Sequence, residues 1–284
     1  MDIGISLPSM GPMAGAEAVA AVAGRAEALG LVSVWVSDHV AVPLDYSSRY
    51  PYSGSGRATF TPQAAWLDPF LALTVAAMAT SRVRLGTSVL ILPLRPPLLV
   101  AKAVATLDQL SAGRVVLGVG AGWLREEFEA LGVTFADRGA RTTESIRVLR
   151  ACWDDDPVRL DGGPPFAMQP KPVQGTRLPV VCGGHSDAAL RRIAAVGDGW
   201  QPIIGPGGFA QRRAVLERLM TAAGRSMAEL ELSVRPGREH PLTPELLDRY
   251  AAAGATTVLT TPDYSRGSLP AVFEDLERLA GLQG

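Results

Sequence analysis

Histidine, cysteine and lysine are all scarce in this 284-residue chain: three histidines, two cysteines, and lysine only at Lys102 and Lys171. Each scarcity excludes something. His39, His185 and His240 show no His-x-His spacing and there is no Cys-x-x-Cys pair, so no structural or catalytic metal site is expected. Cys152 falls in a helix-like stretch and Cys182 in a strand-like one, which argues against a disulfide framework and for a reducing compartment. The formal net charge is only −1, so no long-range field draws the chain to nucleic acid or an anionic membrane. No apolar run approaches the roughly 18 residues of a membrane span. The longest, residues 89–99, is broken by Pro93, Arg95, Pro96 and Pro97. The first eight residues lack a basic n-region and read as a strand, so no signal peptide is expected and the location expected is cytoplasmic. A G-x-S-x-G nucleophile elbow is missing too, which disfavours a serine hydrolase.

What is present is a rhythm. Short apolar runs ending in a small or polar residue recur eight times, at 3–7, 33–37, 83–88, 115–120, 180–184, 199–203, 230–235 and 257–261, with helix-like stretches between. Eight strand–helix units predict an α/β fold, a (β/α)8 barrel formed by one domain over 1–284. Such barrels gather their chemistry at the C-terminal strand ends, which here are Ser6, Asp38 and His39, Ser88, Gly120, Gly183 and His185, Gln201, Arg235 and Thr261. Two interruptions stand out. The connection after the second strand, 38–68, is long and holds Tyr46, Tyr50, Tyr52, Phe60 and Trp66, the aromatics of a lid or pocket wall. A Pro-, Gly- and Asp-rich excursion, 154–178, precedes the fifth strand.

Four strand ends carry chemistry. Gly183-Gly184-His185-Ser186 opens a helix with two glycines and an N-cap serine, a place where free amides favour a phosphate, although Asp187 opposes one. Asp38 and His39 are a candidate general acid–base pair, but neighbouring strand residues point to opposite faces and a purely structural histidine competes with that role. Thr87-Ser88-Val89 leaves room for a flat ligand at the mouth. Gly118-Val119-Gly120-Ala121-Gly122-Trp123 lacks the dinucleotide spacing, so its glycines are expected to clear space for a ring, with Trp123 as its wall. Cys182 reads as a small apolar strand residue before it reads as a nucleophile.

Taken in order, the segments SVWVSDH (33–39), RLGTSVL (84–90), ATLDQLSAGRVVLGVGAG (105–122), the 183–186 turn and AAVGDGW (194–200) resemble the bacterial luciferase-like superfamily, nearest to its oxidoreductases that use the deazaflavin coenzyme F420. The resemblance implies a hydride carrier at the barrel mouth with Asp38 and His39 at its reactive face, His39 being the proton partner. It implies a bulge with a non-prolyl cis peptide at Ser88–Val89, and a cofactor site of Ser88, Val89, Gly120, Cys182, Gly183, Gly184, His185 and Ser186, the 183–186 turn holding the phosphate. The substrate pocket expected is Trp66, Trp123 and Trp200, the substrate a small organic molecule, and the assembly a homodimer. Trp123 stands where the sugar-phosphate dehydrogenases of this group carry an acidic residue, so glucose 6-phosphate is not the expected substrate. An FMN-dependent monooxygenase and a barrel that binds its ligand without turnover remain the alternatives.

Overall fold

A computed structural model describes residues 1–237 and 241–283. His240 lies outside them. Among the described residues, nine parallel strand segments form one closed sheet: β1 (Asp2–Ser6), β2 (Ser33–Val36), β3 (Arg84–Thr87), β4 (Leu90–Ile91), β5 (Val115–Gly120), β6 (Val180–Gly183), β7 (Gly199–Gln201), β8 (Glu231–Val234) and β9 (Thr257–Thr260). β3 and β4 are two pieces of one barrel strand, since both pair with β5, Leu85 and Gly86 at its start and Leu90 and Ile91 at its end. The eight staves of a (β/α)8 barrel result. The third strand, expected over 83–88, ends at Thr87 and resumes at Leu90, and the Ser88–Val89 peptide between the pieces is cis, as the resemblance implies.

The helices α1 (Ala16–Ala28), α2 (Pro69–Ala79), α3 (Pro97–Leu110), α4 (Arg125–Ala130), α5 (Arg138–Trp153), α6 (Asp187–Val196), α7 (Pro206–Ala222), α8 (Pro244–Ala252) and α9 (Leu269–Ala280) surround the sheet. Their boundaries follow local chemistry. Proline opens α2, α3, α7 and α8, where its missing N–H removes nothing. Asp68 caps α2 by accepting from the amides of Phe70 and Leu71, and Gly30 leaves α1 at φ +80° as a helix-ending glycine does. None of the helices among the described residues is long and apolar enough to cross a membrane.

The main core lies between strands and helices, while Trp35, Val116, Val181 and Leu259 fill the barrel interior. Trp35 lies over Gly86, where a Cβ would come within 2.2 Å of its ring, and donates to Ser33 Oγ at 2.8 Å. The 154–178 excursion is pinned by one antiparallel bridge, Val158–Phe166, and by Asp108, which accepts from the backbone and side chain of Gln174. Residues 38–68 carry no helix and only one bridge, Met10–Trp66.

Candidate functional site

The strand ends meet at one mouth. On one side, Arg235 after β8 donates to Ser88 Oγ (2.8 Å), Ser6 Oγ (2.6 Å) and Thr261 Oγ1 (3.4 Å). Ser88 Oγ in turn donates to Gln201 Oε1 at 2.5 Å, and Gln201 Nε2 is buried with no hydrogen-bond partner among the described residues. Five strand ends read separately in the sequence therefore form one polar network around the bulge.

Asp38 and His39 part company. The Asp38 side chain is wholly buried and accepts three hydrogen bonds, from Ile91 N (2.9 Å) and both terminal nitrogens of Arg95 (2.6 and 2.8 Å). Burial holds its carboxyl above the usual range, a shift that the Arg95 fork and the Ile91 amide offset only in part. A carboxylate so held, by the Arg95 fork and one amide, fastens the segment after the bulge. The structure thus places Asp38 in an ion pair with Arg95, while the partner of its neighbour His39 is Glu127.

His39 instead faces aromatics and one acid. Its Nδ1 lies 2.8 Å from Glu127 Oε2, and the two side chains are 7% and 0% exposed. Its ring is 5.1 Å from Phe60, 4.9 Å from Trp66 and 6.2 Å from Trp123, centroid to centroid. The lid completes this box. Tyr46 and Tyr50 lie edge-on to Trp123, and Tyr52 reaches His185 across the mouth at 6.1 Å. Burial pushes the Tyr52 hydroxyl up to about 12. The 38–68 segment thus covers the mouth, as its aromatics suggest. Trp66 and Trp123 both wall the space around His39.

Trp200 does not. It is 0% exposed, stacked on Phe209 at 4.6 Å, and its Nε1 donates to Gly184 O at 2.8 Å. It lies in the helix layer and braces the 183–186 turn from behind, so the pocket assignment for Trp200 is corrected. Cys182 also faces the helices, its Sγ near Gly197, and burial pushes the thiol up to about 12. The strand alternation that puts Val181 in the barrel puts its neighbour outside.

The fourth-strand glycines clear space, but for the protein itself. A Cβ on Gly118 would sit 1.8 Å from Thr87 O, and one on Gly120 would sit 2.6 Å from Val89 Cγ2. Gly183 faces Val89 as well, at 3.0 Å. All three glycines make room for the bulge and the residue that leads into it.

At the 183–186 turn, Gly184 takes φ +87° and Ser186 Oγ accepts from Ala189 N, leaving first-turn amides of α6 without intrahelical partners. Asp187, which opposes an anion in the sequence, is neutralised by Arg212 at 2.5 Å. His185 Nδ1 is buried with no hydrogen-bond partner among the described residues, and burial first, then Arg212, lowers its pKa. Helix amides, a left-handed glycine, an arginine and an orphaned imidazole nitrogen fit a phosphate-bearing cofactor.

Arg95, Glu127 and Arg212 are the site residues that sequence reasoning missed. Each partners a residue that it did find, at separations of 57, 88 and 25 positions. No local pattern marks them: Glu127 is one of two successive glutamates on a short helix, which reads as a solvated face.

The family model described as luciferase-like monooxygenase matches residues 1–237. An uncharacterised protein of Mycobacterium tuberculosis is 39% identical over 183 residues, 63% of this chain and 62% of that protein, so the chain matches about three fifths of that relative's length. An F420-dependent glucose-6-phosphate dehydrogenase of Kineococcus radiotolerans is 31% identical over 74% of this chain and 60% of its own. Among solved structures, an F420-dependent secondary alcohol dehydrogenase in complex with an F420-acetone adduct superposes with TM-score 0.75 at 19% identity, covering 99% of this chain and 97% of that one. The FMN-bound oxygenating constituent of 3,6-diketocamphane monooxygenase from Pseudomonas putida does so with TM-score 0.74 at 16% identity and the same coverage.

Proposed function

The chain belongs to the luciferase-like monooxygenase family, and from that premise we propose that it is an oxidoreductase that uses the deazaflavin coenzyme F420 to move a hydride to or from a small organic substrate. When bound, the deazaflavin supplies a two-electron hydride carrier at C5. The observation that carries the proposal is the His39–Glu127 pair under the aromatic lid. Its Nδ1 engaged by a carboxylate, His39 keeps Nε2 to give or take the proton that accompanies a hydride. Phe60, Trp66 and Trp123 exclude water from that nitrogen and offer flat apolar surface to a substrate. The α6 N-terminus with Arg212 would hold the cofactor phosphate, and the Ser88–Val89 bulge would back its ring. The F420-dependent relative supports the deazaflavin; the FMN-bound neighbour keeps an oxygen-activating FMN enzyme as the second reading.

Titrating both cofactors against the purified protein separates the two. Deazaflavin fluorescence polarisation with no FMN binding is the expected result; tight FMN binding with oxygen uptake overturns it. In the loaded protein, His39→Ala should slow single-turnover reduction by a surrogate hydride donor by roughly 10²-fold, with cofactor affinity within a few-fold. Unchanged turnover removes His39 from the chemistry.

A further inference from the structure

Glu127 does more than touch His39. Its side chain is 0% exposed, and among the described residues its one ion-pair partner is that histidine. Its two oxygens divide the work. Oε2 meets His39 Nδ1 at 2.8 Å, while Oε1 accepts from the backbone amides of Val40 (2.7 Å) and Ala41 (3.2 Å), the first residues of the lid after His39. The preceding residue grips the lid again further on: Glu126 Oε1 accepts from Ser47 N (2.7 Å), Ser47 Oγ (2.9 Å) and Ser48 N (3.1 Å). Arg125 N donates to Ser48 Oγ at 3.1 Å. Three consecutive residues of α4 therefore hold the lid at two points, 40–41 and 47–48, and only Glu127 holds the lid and the imidazole together.

We propose that Glu127 is a positioning residue that sets the tautomer of His39 and makes its alignment and the docking of the lid a single event. A carboxylate only accepts, so Nδ1 must be the donor in this contact. The neutral ring then carries its proton on Nδ1 and leaves Nε2 as a bare acceptor. Rotating the ring away would strand a buried carboxylate oxygen, which holds the orientation. Lifting residues 40–41 would strand the other oxygen. Opening the lid therefore weakens the seat of His39, and docking it restores that seat. Glu126 contributes only to the lid.

The inference rests on the reading of His39 as proton partner for its relevance to turnover, but its test is independent of turnover. Long-range proton–nitrogen spectra of the full-length, histidine-labelled protein report the tautomer, with the His39 signals assigned by their loss in His39→Gln. Wild-type protein should show the proton on Nδ1. In Glu127→Gln, whose amide can donate as well as accept, the signals should move to a mixture of tautomers, and hydrogen exchange at 40–41 should quicken by about 10-fold or more, the scale of losing charge-assisted hydrogen bonds. Glu126→Gln should quicken exchange at 47–48 and leave the His39 tautomer unchanged. A wild-type proton on Nε2 overturns the inference, even if Glu127→Gln fails to fold. So does a folded Glu127→Gln with wild-type spectra and exchange. Should His39→Ala keep full turnover while Glu127→Gln still shifts the tautomer, the functional reading fails and the positioning role stands.

Discussion

Replacing Asp38 with alanine separates a catalytic aspartate from a structural one. The substitution removes three hydrogen bonds to a charged acceptor, two of them from a bidentate arginine. Removing one partner of a buried ion pair costs about 3–5 kcal/mol, because the remaining charge loses its compensation. Here the cost should fall near the lower end. Arg95 is 17% exposed, so its guanidinium can reach water, and Asp68 lies 3.9 Å away as a substitute partner. Arg95→Ala should cost more, about 4–5 kcal/mol, since it strands a carboxylate with no exposure. The double variant should fall well short of the sum, by about 2 kcal/mol or more, because each single change already destroys the shared interaction. Urea unfolding followed by circular dichroism measures all three, and about 3 kcal/mol should lower the melting temperature by roughly 6–10 °C in a chain of this size. Asp38→Ala within about 1 kcal/mol of wild type, with turnover abolished, would refute the structural assignment and return Asp38 to the chemistry.

Three further outcomes follow from the same contacts. Gly120→Val should destabilise by about 1–3 kcal/mol through collision with Val89, and Val89→Ala in the same chain should recover at least half of it; an additive double variant would show that the two do not compete for space. Glu27 is pushed up by partial burial yet held at about 2, below its usual 4.5, by the amides of Val83, Arg82 and Ser81. Its folded pKa is depressed, so its contribution is present above pH 4.5 and is lost as pH falls towards 2. Glu27→Gln should therefore cost roughly 1 kcal/mol at pH 7, discounted for exposure, and nothing near pH 2; a gap independent of pH contradicts this. On the proposed deazaflavin reading, Arg212→Ala should weaken cofactor binding by about 10-fold or more without moving the melting curve, since it removes a charge-assisted donor beside the α6 N-terminus; unchanged affinity places the phosphate elsewhere.

The barrel was legible because its signals are local. A run such as 115–120 declares a buried strand by composition, and Pro97 and Gly30 declare helix ends by their own dihedral preferences. Strand ends were legible for the same reason, and with them Ser88, His39 and the 183–186 turn. The break of the third strand at Ser88–Val89 came from the resemblance, since no periodicity marks it.

Which way each residue faces, and what waits there, was decided only by the tertiary structure. Asp38 and His39 are neighbours in the chain, but successive side chains diverge, and one met Arg95 while the other met Glu127. Trp66, Trp123 and Trp200 look alike in sequence; the lid brings Trp66 and the β5–α4 connection brings Trp123 beside His39, and helix packing buries the third against Phe209. The glycines of 118–122 announced a need for space without saying whose, and the structure assigns Gly118 and Gly120 to the bulge. The sequence by itself determined the architecture and the rim on which chemistry can occur, because backbone periodicity and turn chemistry act over a few residues. Partnerships across 57 or 88 positions depend on barrel closure, which no short stretch of chain encodes.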